Sequence, residues 1–553
     1  MENLLILYIT CFIVFYFSGR AVFLVVEKAT KKKTDYLFNL KKENFYILLG
    51  IICTTEFLFV SNFFFSLNKI NLGLFFAIMF LVNLSKFSKI TEFKYLFLNF
   101  LIIFILFISF YDINLSKDSY LYHLSTQNWL YTEKIVFGIS NLNPYLGYVS
   151  INEYLTTLLN TFNTKGAHIF NLVFLYIFFS FLISFIYSKN KFYKNISLLI
   201  SFFGILDNFG NDGGRNGFIA LQEINKFDYT VSILCIIFII FFLQINFSKK
   251  SITNFESVFL LLIIIFSTQL RFFTLLLTLL LIYQNIKYKK IILSQAYPLI
   301  LLVLWFIKNF INTSCFIYPV YLTCFETVWT FENQAKYITN SVLDSYRDPS
   351  TAGINSIENF NWISEIFIPN NLNTILNFIF TLIVFYLFKK FSLKSVQIEE
   401  HKNKIFISLF FSLLLFIFWL FYLPQYRFAS FFFITIFIIL NLDYLFNAKP
   451  INSKLTTIFV FLALGLVINL NDYKYFVQDP ITAVVSNQNY PSTEYEKRQE
   501  YGVRPVGVES KGVYCFAQKD CYTDDYDVRL KIFKYNYKAI IPIQTRFYID
   551  LLE

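Results

Sequence analysis

The stretch SKDSYLYHLSTQNW, residues 116–129, follows almost directly on YLFLNFLIIFILFISFY, residues 95–111. The reading of that junction decides the fold. The apolar run approaches the ~20 residues that cross a bilayer core as a helix. The polar stretch then sets Asp118, His123 and Trp129 in quick succession beyond its end. Such a pair of segments reads as a membrane span followed by a loop that carries chemistry.

The same alternation runs along the chain of 553 residues, which is 56% hydrophobic and 15% charged. Soluble domains carry about 25% charged residues, so this composition excludes an ordinary soluble protein. The net charge of +11 does not indicate a nucleic-acid partner. Its lysines lie in short loops between apolar runs, where membrane orientation accounts for them. The 74 Phe and 38 Tyr are read first as codon bias of an AT-rich genome. The N-terminal run lacks a basic start and a small-residue cleavage site, so it reads as a retained first helix.

Candidate spans cover residues 4–26, 44–66, 72–85, 95–111, 166–188, 196–207, 228–247, 256–270, 272–285, 291–307, 372–388, 405–422, 429–446 and 455–470, about 14 in all. The pair 256–285 could equally be one long helix with Arg271 inside it. Lysines cluster at 28–42, 86–94, 189–194, 249–250, 287–290, 389–404 and 449–454, in every second loop. The positive-inside rule makes those loops cytoplasmic. Both termini are then extracytoplasmic, and so are the long segments 111–165, 208–227 and 308–371. The expected fold is an all-α polytopic membrane protein, residues 1–470, with interfacial helices in its first large outer loop. Residues 471–553 form a small C-terminal α+β outer domain, in which YNYKAIIPI reads as a strand.

Two further signals agree with this orientation. Cys315, Cys324, Cys515 and Cys521 fall in outer segments, and no cysteine falls in a cytoplasmic loop. Closely spaced pairs in an oxidising compartment read as disulfides, Cys515–Cys521 and Cys315–Cys324. Arginine, a planar donor fork suited to phosphate, is also found outside: Arg215, Arg271, Arg347 and Arg427, then four more in the tail.

Within 111–165, a short helix is expected from Ser119 to Thr132. In SINEYLTTLLNTF, apolar residues at 151, 155, 158, 159 and 162 have helical spacing, as in a helix lying flat at the interface. A carboxylate at the membrane boundary is partly desolvated, which makes Asp118 a stronger base; the plainer reading is a helix cap. His123 reads as a structural hydrogen-bonding group or a catalyst, and Trp129 as an interfacial anchor or a sugar-stacking platform.

DSYLYHLSTQNW followed by GISNLNPYLG resembles the D-x-x-x-Y-H-L…W…G…N…LG pattern of a bacterial family of membrane proteins similar to the C-type glycosyltransferase superfamily (GT-C). WFIKNFINTSCFIYP, residues 305–319, is similar to its W-x-x-R-N…YP segment, with Lys308 in place of the usual Arg. LPQYRF, residues 423–428, is similar to its P-x-x-R-F, and Cys515 and Cys521 to its paired tail cysteines.

The resemblance implies a GT-C-type glycosyltransferase of the bacterial inner membrane. Such an enzyme moves a hexose or pentose, with inversion, from a polyprenyl-phosphate donor to a glycan, lipid or protein acceptor on the outer face. By position Asp118 would be the catalytic base. Arg427 would face the donor phosphate, with Arg271, Lys308 and His123 assisting, and Asp228 or Asp212 would be the second acid. Some members of the superfamily use a divalent cation. The absence of an acid adjacent to Asp118 points to a metal-independent reaction, with no cofactor beyond the lipid-linked donor. Two other classes stay open: an O-antigen-type polymerase or ligase, which would rely on arginines rather than Asp118, and a transporter or flippase of lipid-linked glycans.

Overall fold

Apolar side chains on every face of a helix leave it no solvent side, so such a helix must be covered by other helices or by lipid. The computed structural model of the chain follows that rule. It describes residues 4–30, 36–68, 93–113, 119–141, 144–163, 165–209, 226–247, 252–287, 296–329, 363–392, 426–478, 528–533 and 537–542, with a few single positions between them. The described residues are predominantly helical. In chain order the helices are α1 Leu4–Thr30, α2 Tyr46–Asn62, α3 Phe93–Phe107, α4 Leu124–Thr132, α5 Asn152–Phe162, α6 His168–Tyr187, α7 Lys191–Phe209 and α8 Asp228–Phe247. They continue with α9 Asn254–Leu270, α10 Leu277–Lys287, α11 Ala296–Thr313, α12 Ile368–Ser392, α13 Tyr426–Leu440, α14 Leu442–Asn447, α15 Ser453–Val467 and α16 Leu470–Gln478.

The two helices with continuous apolar sequence are the central ones: the spanning window of α6 is 100% buried and that of α8 94%. The window in α12 is only 17% buried, as expected of a peripheral helix that offers most of its surface to lipid. Among the described residues five helices are long and apolar enough to cross a membrane, and a sixth is added if α15 and α16, bent by 84° at their junction, count as one. Shorter apolar helices include α9, α11 and part of α13. The chain is therefore a helical membrane protein with several spans.

The segment 256–285, left open by the sequence, is broken. Helix α9 ends at Leu270, Arg271 is extended at φ −146°, and a 3-10 turn Phe272–Leu276 leads into α10. Of the other expected spans, 72–85 and 405–422 lie mostly outside the described residues. The segment read as a strand contributes β2, Tyr537–Pro542, which pairs antiparallel with β1, Val528–Phe533.

Polar side chains inside the bundle answer backbone groups that have no water to turn to. Asn195 Nδ2 reaches Tyr444 O, Leu445 O and Ala448 O at 3.1–3.3 Å, capping the last turn of α14. Asn99 Oδ1 on α3 accepts from Tyr176 Oη and Ser180 Oγ on α6 at 3.0 and 2.7 Å. The loop after α1 folds back in a tight turn, with Phe38 and Asn39 at φ 50° and 64°. There Phe38 stacks on Phe241 at 4.3 Å, donates its N–H to Glu256 at 2.8 Å, and accepts from Tyr193 at 2.7 Å. Glu256 also closes a capping box with Thr253 at the start of α9. One carboxylate thus starts a helix and pins the lysine-rich end of the bundle.

At the opposite end, α4 and α5 fill the chain between α3 and α6. In the turn before α6, Lys165 donates to Phe110 O at 2.9 Å. Burial pulls its pKa below the ordinary lysine value, while Asp472 and Asp112 pull the other way. Asp472, in α16, accepts from the Asp112 N–H at 2.7 Å.

Helices α1 and α2 cross with no side chain between their backbones. A Cβ on Gly19 would lie 1.7 Å from Tyr46 O, and one on Gly50 1.8 Å from Phe15 O. Gly73 faces open space. Backbone cannot yield as a side-chain tip can, so Gly50→Ala is expected to cost about 1–3 kcal/mol or more, with Gly73→Ala close to neutral. Thermal unfolding of the purified protein in detergent, followed by circular dichroism, checks this; equal midpoints for the two variants would refute it.

Candidate functional site

Helix α5 carries two stripes. Ile151, Leu155, Leu158 and Leu159 are buried on the apolar side. Glu153, Thr156 and Asn160 recur at helical spacing on the other side, and this polar side meets α4 rather than water. Glu153, 1% exposed, bonds one carboxylate oxygen to His123 Nδ1. Its second oxygen accepts from Gln127 Nε2 at 2.8 Å. Gln127 Nε2 also reaches Thr156 Oγ1 at 3.1 Å, its amide oxygen accepts from Asn160, and Asn160 Oδ1 accepts from the Ala167 N–H at 3.0 Å. Helix α5 is thus enclosed on both faces, which corrects its reading as a helix lying flat on lipid. An unpaired carboxylate could not be buried there at tolerable cost; His123, the last residue of the π-helical turn Ser119–His123 that leads into α4, and Gln127, four residues on in α4, make the burial sustainable.

A second side-chain pair, this one ionic, faces the first across one ring. Arg271 donates from Nε at 3.1 Å and Nη2 at 2.8 Å to Asp228 Oδ1. Asp228 opens α8, where a carboxylate is favoured by the unpaired N–H groups of the first turn. The Arg271 guanidinium carbon lies 4.8 Å from the centroid of Phe227, and the His123 ring meets the same phenyl edge-on at 6.4 Å. With Nδ1 held by Glu153, the opposite nitrogen of His123 is left for other partners.

The break at Arg271 also opens a cavity of about 160 Å³. Its walls are residues 147–150 of the loop before α5, residues 268–273 around the break, Trp305 and Asn309 of α11, residues 317–320 and Thr339. Residues 317–320 belong to a loop closed by the disulfide Cys315–Cys324, with the two Cα atoms 3.8 Å apart. Gly147 is required here because a Cβ would come within 2.6 Å of the Tyr318 ring. Tyr318 Oη in turn donates to Pro144 O at 3.1 Å. Lys308, 1% exposed, braces the wall from behind. Its Nζ donates to Val149 O at 2.9 Å and Asn309 Oδ1 at 3.2 Å, and sits 4.3 Å over the Trp305 ring.

The structure therefore gathers His123, Arg271, Asp228 and Lys308 at the end of the bundle that carries the disulfide. Arg427 is the second residue of α13. Phe431, one turn further on, stacks on Phe273 beside the break at 6.0 Å. Asp118, Asp212, Cys515 and Cys521 lie outside the described residues. Trp129 is neither a surface anchor nor a stacking platform. It is 7% exposed and packs with Val136, Ile139 and Leu146, because α4 turns that face inward. Sequence reasoning missed Glu153 and Gln127. Their signal was the polar stripe of α5 and the four-residue spacing from His123 to Gln127. Among the described residues no group of three or more metal-ligand side chains comes together. The pairs His123–Glu153 and Asp228–Arg271 do not by themselves make a cage for a divalent cation.

The chain belongs to the family described as a domain of unknown function, DUF8201, whose model matches residues 1–438. No curated protein and no solved structure matches it.

Glu153→Leu removes the partner of both His123 and Gln127 while keeping side-chain bulk. A loss of about 3 kcal/mol is expected, since buried donors left unmet cost ~1–3 kcal/mol. Adding His123→Phe should recover part of it, the mark of direct coupling. Strictly additive shifts of the melting midpoint in the two variants would show that the pair does not interact.

Proposed function

We propose that this member of the DUF8201 family is a membrane glycosyltransferase of the GT-C type, moving one sugar from a polyprenyl-phosphate donor to an acceptor on the outer face of the bacterial cytoplasmic membrane. The observation that carries the reading is the meeting of His123–Glu153 and Arg271–Asp228 on Phe227. It sits beside the cavity and just after the segment that bears Asp118 in sequence. The disulfide at this end suits an oxidising compartment, and the lysine-rich loops at the other end suit the cytoplasm.

In the proposed reaction Asp118 takes the proton of an acceptor hydroxyl. The acceptor oxygen forms a bond to the anomeric carbon as the bond from that carbon to the phosphate oxygen breaks. Polyprenyl phosphate leaves with the electron pair, and the configuration inverts. Arg271 is suited to the leaving phosphate: its side chain is 29% exposed, whereas Asp228 is 3% exposed, so the guanidinium is the accessible half of the pair. Asp228 and Glu153 act as positioning residues that hold Arg271 and His123. Arg427 is the second cation in this proposal.

The test is transfer of radiolabelled sugar from polyprenyl-phosphate donors in membranes containing the protein. Asp118→Asn should lower the rate about 100-fold or more, the range of a lost general base, with insertion and melting midpoint unchanged. Full activity would remove Asp118 from the reaction. Essential Arg427 and Arg347 with a dispensable Asp118 would favour a polymerase or ligase. Substrate flux across proteoliposomes without covalent product would favour a transporter. Labelling of Ser116→Cys by an impermeant thiol reagent tests the orientation independently; labelling only after permeabilisation would reverse it.

A further inference from the structure

The disulfide-closed loop that walls the cavity has a second face. Residues 317–320 line the cavity. Phe316, Tyr321, Leu322 and Phe325, on the same loop, are 39%, 53%, 78% and 52% exposed. The sequence reading placed this segment in a long outer loop, where water would cover it. Yet residues 309–325 include no charged side chain, and the first one after them is the exposed Glu326. A contiguous apolar surface of this kind marks a contact with something other than water.

The patch continues a surface that already has an occupant. On α11, Ile300, Val303 and Ile307 are exposed at the spacing of one helix face, turned away from the buried Leu301, Trp305 and Lys308. In a chain that crosses the membrane, such a stripe on an apolar helix is its lipid side. Phe310, the next residue along that stripe, stacks on Phe316 at 5.3 Å and meets Phe325 at 6.3 Å. Phe316 and Phe325 meet edge-on at 5.5 Å. Three phenyl rings thus carry the lipid side of α11 onto the loop.

The loop backbone is closed in the way that lipid demands. Away from water, a non-helical segment must satisfy its own main-chain groups. The N–H groups of Phe316, Ile317, Val320, Thr323, Cys324 and Phe325 donate at 2.8–3.0 Å, all to acceptors within residues 314–325. Thr323 Oγ1 accepts from the Ile317 N–H and donates to Val320 O at 2.8 Å. The Cys315–Cys324 disulfide and an antiparallel bridge between the same two residues hold the neck. Water would meet these backbone groups without any such closure.

We propose that residues 315–325 form a membrane-inserted hairpin, whose Phe316, Tyr321, Leu322 and Phe325 sit among the lipids of the leaflet at the disulfide end. The partner of this surface is lipid, and one wall of the cavity is carried by an element embedded in it. The inference rests on the membrane fold alone and not on the sugar-transfer reading, so either can fail without the other.

The experiment is electron paramagnetic resonance on the full chain in liposomes. A nitroxide is attached at Leu322→Cys, with Cys315 and Cys324 kept and the other five cysteines replaced by alanine. Oxygen concentrates in lipid and a nickel chelate in water, so the ratio of their collision rates with the label reports its surroundings. Ile300→Cys supplies the lipid reference and the exposed Lys454→Cys the aqueous one. The ratio at 322 should match that at 300 and exceed that at 454 several-fold. Tyr321→Cys, the neighbouring exposed position, decides the matter if Leu322→Cys fails to fold. A ratio matching that at 454 would place the hairpin in water and overturn the inference. Low collision rates with both reagents would overturn it too, by showing that protein covers the patch. So would spin–spin broadening that disappears on dilution with unlabelled chains, which would make the occupant a second copy.

Discussion

The ion pair between Arg271 and Asp228 is the interaction on which the disulfide end of the molecule depends. A helix running on from α9 into α10 would carry residue 271 through the bundle as one more turn. Instead Arg271 is extended, and its guanidinium reaches the carboxylate that opens α8. That pairing removes the penalty of a nearly buried Asp228 and sets Phe227 under the guanidinium. The displaced backbone of residues 268–273 becomes the cavity wall. Without the pair there would be neither a reason for the break nor a space beside it.

The parts of the fold that were legible in the sequence are those where one physical effect acts alone. Asp228–Phe247 reads as a span because no charged residue follows Asp228 within it, and its bounds in the structure are those read from the sequence. The helix expected from Ser119 to Thr132 is also found, as a π-helical turn Ser119–His123 that runs into α4. Where two effects compete, the sequence was ambiguous. Residues 256–285 have the apolar content of a long helix and a single arginine. Whether the arginine bends the helix depends on a carboxylate 43 positions away, which hydropathy does not register. The polar stripe of α5 was misassigned because amphipathic spacing says that two faces differ and not what covers each. A polar face against water and one against His123 and Gln127 have the same periodicity. Trp129 shows the converse: indole is common both at membrane surfaces and in cores, and only the packing of Val136, Ile139 and Leu146 around it decides. The site was legible as a collection of residue types, Arg271, Asp228, His123 and Lys308, but their pairings were not. Glu153 was invisible because it gains meaning only from a partner far along the chain.

The two ends of the bundle manage buried polarity in different ways. At the lysine-rich end, Glu256, Asn195 and Tyr193 close backbone groups. At the disulfide end, His123–Glu153 and Arg271–Asp228 pair side chain with side chain. A bundle whose sole task was to be stable would gain by replacing such groups with apolar ones of the same shape. Their place beside the break at Arg271 is the pattern expected where stability is conceded to a site.

The enclosure of α5 on both faces bears on how that site could work. A helix lying on the membrane surface would leave Glu153 and His123 in high dielectric, where their mutual orientation would be worth little. Buried between α4 and α6, the pair keeps its geometry and its field. Lys308 has the same effect on the loop 147–150, which it holds from behind through Val149 O. An arginine there would add a fork of donors that need further acceptors. A lysine amine over Trp305 needs fewer, and the described structure supplies Val149 O and Asn309 Oδ1. The departure from the resembling motif at this position is therefore consistent with a brace behind the cavity rather than a ligand inside it.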